Sequence, residues 1–323
     1  MISKNSIIGI MVVLISLLVL SGITFAGDYL IGISQFVEHP ALDAAKDGFI
    51  DGLAAEGFVE GENIEVLLEN AQADFPTTQT IAQKFKQEKL DLILAIATPS
   101  AQTMANVIKD IPILITAVTD PVAAGLVDSM ENPGRNVTGT TDMNPVAEQF
   151  KMIQDFIPDV KSVGILYNNG EVNSVVQVDI AKEVAAELGI KIEEGTVSNT
   201  SEVALATSSI VDKVDAFYIP TDNIIASAIA SVLKIAHNNN TPVFGSESGM
   251  IEQGAIATKG IDYYLLGKQT GRMAAEVLNG KKPEDMPIEG SSDLNVVINK
   301  KSCEKIGLKI PEDILNKASK IYE

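Results

Sequence analysis

Three observations predict an α/β fold of two lobes built on parallel sheets. Apolar runs of strand character alternate with amphipathic helical stretches along the whole chain, the pattern of α/β layering. A strand–helix–strand unit with polar strand ends occurs twice. Once a 26-residue N-terminal segment is set aside, 297 of the 323 residues remain. That is too many for one ordinary core and suits two lobes of about 100–150 residues.

The first copy of the unit runs Leu90 to Ala97 into Thr98-Pro99-Ser100, crosses a helical stretch, and ends in Ile111 to Val118 before Thr119-Asp120-Pro121. The second runs Val214 to Ile219 into Pro220-Thr221-Asp222-Asn223, crosses a helix, and ends in Val243-Phe244-Gly245 before Ser246-Glu247. Two such units facing each other place four polar strand ends around one cleft. Open parallel sheets bind ligands outside the carboxyl ends of their strands. A two-lobed binder of small molecules is the expected architecture.

Residues 1–26 read as a leader. Lys4 is the charged region, Ile7 to Leu20 the apolar run, and Thr24-Phe25-Ala26 a small-x-small cleavage site before Gly27. The alternative is a membrane anchor, for which the 17 residues Ile7 to Ile23 are barely long enough. Leu20-Ser21-Gly22 has the look of a lipoprotein box, but Ile23 stands where the lipidated Cys belongs. The expectation is therefore a cleaved, periplasmic protein without a lipid anchor.

In the mature chain, Tyr29 to Ser34 is a buried strand and Pro40 to Glu56 a helix stopped by Gly57. Strands follow at Ile64 to Glu69, Leu90 to Ala97, Ile113 to Ala117 and Val137 to Thr140, with helices over 77–87 and 100–108 between them. Asn144-Pro145 opens a helix to Phe156, and the pattern restarts. Strands are expected at Ser162 to Tyr167, Ile190 to Val197, Ala216 to Ile219, Val243 to Gly245 and Ala255 to Thr258, separated by helices near 174–188, 202–212 and 223–238. A helix from Tyr264 to Leu278 ends at Asn279-Gly280, a left-handed stop. A last strand, Leu294 to Ile298, and two short helices complete the chain.

Composition narrows the function classes. The net charge is −19, and −20 once the leader with its single Lys is removed. Nucleic acid needs a basic footprint, so it is not an expected partner. Cys303 is the only cysteine, which rules out a disulfide framework and reads as a structural bystander. His39 and His237 are the only histidines. No HExxH, Walker A loop, G-x-S-x-G or GxGxxG appears, and Cys and His show no metal-ligand spacing. Catalysis, a metal and a cofactor are therefore not expected.

The candidate binding residues lie at strand ends. His39-Pro40, Thr98-Pro99, Asp120-Pro121 and Asn144-Pro145 each put a polar residue before a Pro that suits a first helical position. Plain capping explains Asn144. Thr98 and Ser100, at a strand-to-helix junction, suit a carboxylate, because a helix N-terminus offers free N–H groups. An ammonium group would need a carboxylate at another strand end, from Asp120, Asp142, Asp222 or Glu247; each could equally cap a helix or lie in solvent. Phe36, Tyr167, Phe244, Tyr263 and Tyr264 are aromatic residues near the same ends. Such rings are more often core, but Tyr167 precedes the turn Asn168-Asn169-Gly170 and could close over an apolar ligand.

A family resemblance spans essentially the whole mature chain. It is carried by Val37-Glu38-His39-Pro40-Ala41-Leu42-Asp43, Ala97-Thr98-Pro99-Ser100-Ala101-Gln102 and Thr116-Ala117-Val118-Thr119-Asp120-Pro121-Val122. It continues in Asn136-Val137-Thr138-Gly139, Leu166-Tyr167-Asn168, Pro220-Thr221-Asp222-Asn223 and Gly260-Ile261-Asp262-Tyr263-Tyr264. In these segments the chain resembles ABC-transporter substrate-binding proteins of the tryptophan/tyrosine-type group.

The resemblance implies two Rossmann-like lobes in the hinged, type I periplasmic-binding-protein arrangement. Residues 27–142 plus about 260–290 would form the N-terminal lobe, and 143–259 plus about 291–323 the C-terminal lobe. Ligand would enter between the lobes, closure would bury it, and the closed form would dock on an ABC permease in the inner membrane. The resemblance places the site on the loop Gln35 to Leu42, with Gln35, Phe36 and His39, and on Thr98, Ser100, Thr119, Asp120, Asp142, Tyr167, Asp222 and Glu247. Gly170-Glu171-Val172-Asn173-Ser174 stands where relatives carry Gly-Glu-Ser/Ala-Asn-Ser, which adds Asn173. The expected ligand is a small amphipathic molecule, an aromatic or branched amino acid foremost, and the expected state is a monomer. A ligand-sensing subunit of a signalling receptor would share the fold and remains the alternative.

Overall fold

The computed structural model describes residues 29–291 and 294–323; the expected leader lies outside them. The first lobe is built on a six-stranded sheet. Its strands are β1 (Tyr29–Gln35), β2 (Ile64–Asn70), β3 (Leu92–Ile96), β4 (Ile113–Val118), β5 (Val137–Thr141) and, from far along the chain, β11 (Glu289–Gly290). The order is β11-β5-β4-β3-β1-β2, all parallel. The central strands β3, β4 and β5 are buried along their whole length, which is why they read as unbroken apolar or Thr/Val runs.

The second lobe rests on a four-stranded parallel sheet of β6 (Ser162–Asn168), β7 (Lys191–Val197), β8 (Ala216–Ile219) and β9 (Val243–Gly245), ordered β7-β6-β8-β9. The first lobe repeats this order with β2-β1-β3-β4. The doubled unit of the sequence is thus a doubled sheet topology. In both lobes the order reverses between the first and third strands, and that switch point is where such sheets bind ligands.

A three-stranded sheet, β10 (Ala257–Ile261), β12 (Leu294–Asn299) and β13 (Lys320–Tyr322), completes the second lobe. It adds one antiparallel pair, β10 with β12, beside the two parallel sheets that the sequence predicts. The β10 strand also lies two residues beyond its expected start. Ala255 and Ile256 instead follow Gly254, which takes φ +124 at the end of a short helix.

Helices α1 (Pro40–Ala55), α2 (Phe75–Gln87) and α3 (Thr98–Val107) flank the first sheet. Flanking the second are α4 (Val146–Phe156), α5 (Val172–Leu188) and α6 (Val203–Ile210), then α7 (Asn223–Ser227), α8 (Ile229–Asn238) and α9 (Ser248–Gln253). The chain returns to the first lobe in α10 (Tyr263–Leu278) and finishes with α11 (Lys300–Ile306) and α12 (Glu312–Leu315).

The helix expected over 223–238 is two helices, broken at Ala228, which takes φ −110 and ψ 15. No Gly or Pro marks that break. Asn144 is not the cap expected of it. Its amide donates to Thr221 Oγ1 (3.1 Å) and helix α4 starts only at Val146.

Helices α1 and α10 pack backbone against backbone. A Cβ on Gly48 or Gly52 would collide with the Tyr264 or Lys268 carbonyl of α10, and one on Gly267 or Gly271 with the Ala45 or Phe49 carbonyl of α1. Four glycines replace a side-chain layer there. The pairing also sets the two N-terminal ends, at Pro40 and Tyr263, side by side at the cleft.

Candidate functional site

The cleft between the lobes is lined from the first lobe by His39, Leu42, Ala117, Asp142 and Tyr263. The second lobe contributes Asn173, Thr221, Asp222, Asn223, Ala226, Glu247 and Met250. The lobes touch: a Cβ on Gly249, at the start of α9, would lie 2.9 Å from Pro40 Cβ at the start of α1. The structure is a closed flytrap.

Each carboxylate is held by the local fold. Asp142 follows β5, and its oxygens accept from the Thr119 hydroxyl (2.9 Å) and the Tyr263 hydroxyl. Asp222 caps α7: Ile225 N–H donates to Oδ1 (2.8 Å), and Asn168 N–H (2.6 Å) and the Ser174 hydroxyl (2.7 Å) donate to Oδ2. Glu247 caps α9, accepting from Gly249 N–H and Met250 N–H. These are ordinary caps, but the helices they cap begin at strand ends that face the other lobe.

The electrostatics are one-sided. Asp142, Asp222 and Glu247 are at most 2 % exposed, and no Lys or Arg lines the cleft. Burial pushes the Asp142 and Asp222 carboxyls up, and Glu247 up to about 7. Behind them Glu171 is pushed up to about 8 by burial, with the charge of Asp222 adding to the effect. Burial also pushes His39 down to about 4, which leaves its ring neutral. Asn223 approaches that ring without meeting hydrogen-bond geometry, and both ring nitrogens are without a partner. Asn173 Oδ1 is likewise a buried acceptor without a donor. A group that brings positive charge and N–H donors is what this surface lacks.

Of the twelve residues expected at the site, the structure brings His39, Asp142, Asn173, Asp222 and Glu247 together in the lining. Thr119 stands one step behind, donating to Asp142. Thr98 begins α3 with its hydroxyl buried and unpartnered, and Ser100 receives a 3.4 Å hydrogen bond from the Ser34 hydroxyl. Both lie at the end of β3 beside Ala97, whose φ of +78 bends the chain sharply into the helix; Ala117, at the end of β4, has φ +55. Such left-handed non-glycine residues are strained and gather at functional sites.

The remaining four lie outside the lining. Phe36 is fully buried against Phe75, 5.2 Å between ring centroids. Gln35 donates to the Val37 carbonyl and Asp43. Asp120 is half-buried and caps a turn through the N–H groups of Val122 and Ala123. Tyr167 belongs to strand β6 rather than to the turn, and its hydroxyl donates to Glu194 on β7 (2.7 Å). Strand alternation aims Tyr167 at one face of the sheet. Thr221, Asn223, Ala117, Ala226 and Met250 were not foreseen. The first two adjoin Asp222 in the sequence, whereas Ala117, Ala226 and Met250 are apolar positions indistinguishable from core. Among the described residues no cluster of His, Cys, Asp and Glu is placed to hold a metal ion.

Comparison with known proteins agrees with this architecture. Residues 30–322 match the family described as ABC transporter substrate binding protein. The chain is 46 % identical to a tyrosine-binding protein of Clostridioides difficile (strain R20291), over 86 % of this chain and 81 % of that one. A crystal structure of an ABC domain in complex with L-Trp from Streptococcus pneumonia is 38 % identical and covers 91 % of this chain and all of its own, with a TM-score of 0.88. The ligand-free, open structure of a substrate binding protein with adhesive properties from Clostridium difficile is 48 % identical over 91 % of this chain and 99 % of that one. Its TM-score is nevertheless only 0.69. That structure is described as open, whereas the lobes of the present structure touch. This chain belongs to the family of ABC transporter substrate-binding proteins.

Proposed function

We propose that this protein captures an aromatic L-amino acid, tyrosine or tryptophan, in the inter-lobe cleft and hands it to an ABC permease. The observation that carries the reading is the pairing of three buried carboxylates from both lobes with apolar Leu42, Ala117, Ala226 and Met250, and no lining cation. An α-ammonium group satisfies the acids, and an aromatic side chain suits the apolar remainder. The α-carboxylate is assigned to the N-terminus of α3, with the unpartnered Thr98 hydroxyl and Ser100. The names of the relatives that bind tyrosine and tryptophan support the ligand class.

The protein works outside the cytoplasm, as its family does. The leader at 1–26 and a periplasmic, unlipidated mature chain are part of the proposal, as is a monomeric state. The lobes are read as 29–142 with about 262–290, and 143–261 with 294–323, a division supported by which sheet each strand joins. Hinges are assigned near Asp142–Asn144 and Ile261–Asp262, where the chain passes between the lobes; the Thr258–Gly260 segment lies within β10.

Calorimetric titration with L-tyrosine, L-tryptophan and L-leucine tests the ligand. A melting-temperature rise with the same compounds gives an independent reading, since a ligand of the folded state stabilises it. No heat and no rise with any amino acid would overturn the assignment.

A further inference from the structure

Glu171 does not line the cleft, yet it is 1 % exposed and beside a second buried carboxylate, Asp222, with no cation near either. Such a placement is expensive. It stands at the N-cap position of α5 but does not cap that helix. Its side chain reaches instead across to α7. Oε1 accepts from Ile224 N–H (3.3 Å), and Oε2 accepts from Asn223 N–H (3.4 Å), from the Asn223 side-chain amide, and from Asn173 Nδ2 (3.1 Å). Every group hydrogen-bonded to the Glu171 carboxyl is a donor.

This fixes which way Asn173 turns. Its amide nitrogen is engaged by Glu171 and by the Thr221 carbonyl (2.8 Å), so the amide oxygen is the atom left over. That oxygen is buried and has no donor, and Asn173 lines the cleft.

We propose that Glu171 is a positioning residue for ligand recognition: by accepting from the side-chain amide of Asn173, it turns the Asn173 carbonyl oxygen toward the cleft as an acceptor for the ligand's ammonium group. The Asn223 amide, tied to the same carboxylate oxygen, is held by the same device. The charged and titratable groups around this point are Asp222 beside Glu171, Glu247 on the same lobe, and His39, Asp142 and Tyr263 across the cleft. Raised by burial to about 8, Glu171 carries its proton for most of the time at neutral pH. Either form offers acceptor lone pairs to the two amides.

The inference rests on the amino-acid reading of the cleft, and the experiment separates the two. L-tyrosine and L-tryptophan are titrated into the wild type, E171L, N173A and E171L/N173A, and each ligand-free melting temperature is recorded. E171L removes the acceptor that meets the Asn173 amide and keeps the bulk of the side chain. The expected result is a fivefold or greater loss of affinity from E171L in the wild-type background. In the N173A background the same change costs less than twofold, because the residue it acts through is gone. A merely structural Glu171 would lower the melting temperature without that coupling.

E171A is the second variant if E171L does not fold. It also frees the amides, with an expected loss of about fivefold. Affinity within twofold of wild type for the folded variant would overturn the inference, as would an equal loss in both backgrounds. Wild-type protein that binds neither amino acid would instead overturn the ligand reading, and this inference with it.

Discussion

Asp222 shows how one side chain serves local and global structure together. Its Oδ1 caps α7, its Oδ2 ties the end of β6 to Ser174 of α5, and the residue faces the opposite lobe. Removing it would leave three donors without acceptors and take one negative charge from the ligand's ammonium. Charged hydrogen bonds of this kind contribute about 1.5–3 kcal/mol. Asp222→Ala is therefore expected to weaken tyrosine binding more than tenfold by calorimetry; unchanged affinity would refute the role.

The buried acids also give the protein a pH signature. Glu247 moves from its ordinary value of 4.5 to about 7 in the folded state. The folded chain then binds more protons than the unfolded one across that window, and stability falls as pH rises through it. Glu171 extends the same trend to about 8. His39 acts oppositely: its fall from 6.5 to about 4 costs the folded state stability as pH drops below 6.5. Between about pH 8.5 and about pH 6.5 the carboxylates dominate. The ligand-free melting temperature should rise on acidification through that range, and Glu247→Gln should flatten part of the rise. A profile that falls on acidification would contradict the burial of these groups.

Residue chemistry was legible where caps and strand ends coincide. Asp142, Asp222 and Glu247 could be picked out because a polar residue after an apolar strand has few other uses. The placement of Tyr167 was not legible, because being next to a turn says nothing about which face of the strand a side chain takes. Glu171 escaped notice because it binds neither its own helix nor the cleft.

At the scale of elements, the longer helices and the buried strands are visible in the sequence through their apolar periods. The short pieces are not. Helix α9, Ser248–Gln253, spans less than two turns, and β11 is two residues long; both exist because a neighbour receives them. The contact between α1 and α10 is the clearest tertiary feature of this kind. Gly48, Gly52, Gly267 and Gly271 look like poor helix formers in sequence, and only their mutual contact explains them. Gly267→Val should push the two helices apart and cost about 1–3 kcal/mol, seen as a lower melting temperature. Because these helices also carry His39, Leu42 and Tyr263 to the cleft, binding should weaken too. A variant as stable as the wild type would show that the contact is not tight.

Closure is the property of the molecule as a whole. The only cysteine, Cys303, is buried, its thiol pushed up to about 11 by burial, so introduced thiols would report without interference. Pro40→Cys with Gly249→Cys places two thiols across the mouth, with Cβ atoms close enough that a slight relaxation reaches the about 3.5–4.5 Å of a disulfide. Oxidation should then lock the cleft. Tyrosine bound beforehand should stay bound, and tyrosine added afterwards should not enter, as followed by equilibrium dialysis with and without reductant. Free exchange through the oxidised form would show that ligand does not pass between the lobes.

The doubled strand–helix–strand unit was written in the residues themselves, because apolar periodicity and capping are local properties that survive without neighbours. Its polar ends, and therefore the region of the cleft, could be read in the same way. What only the tertiary structure decided is which ends converge and what backs them. Tyr263 meets Asp142 across 121 residues of chain, β11 returns to the edge of the first sheet, and Asn144 reaches Thr221 across 77 residues. Those contacts join distant segments within each lobe, and the cleft exists only where the two lobes meet. The closure is set by the sum of surfaces from both halves of the chain, and no short window of sequence contains it.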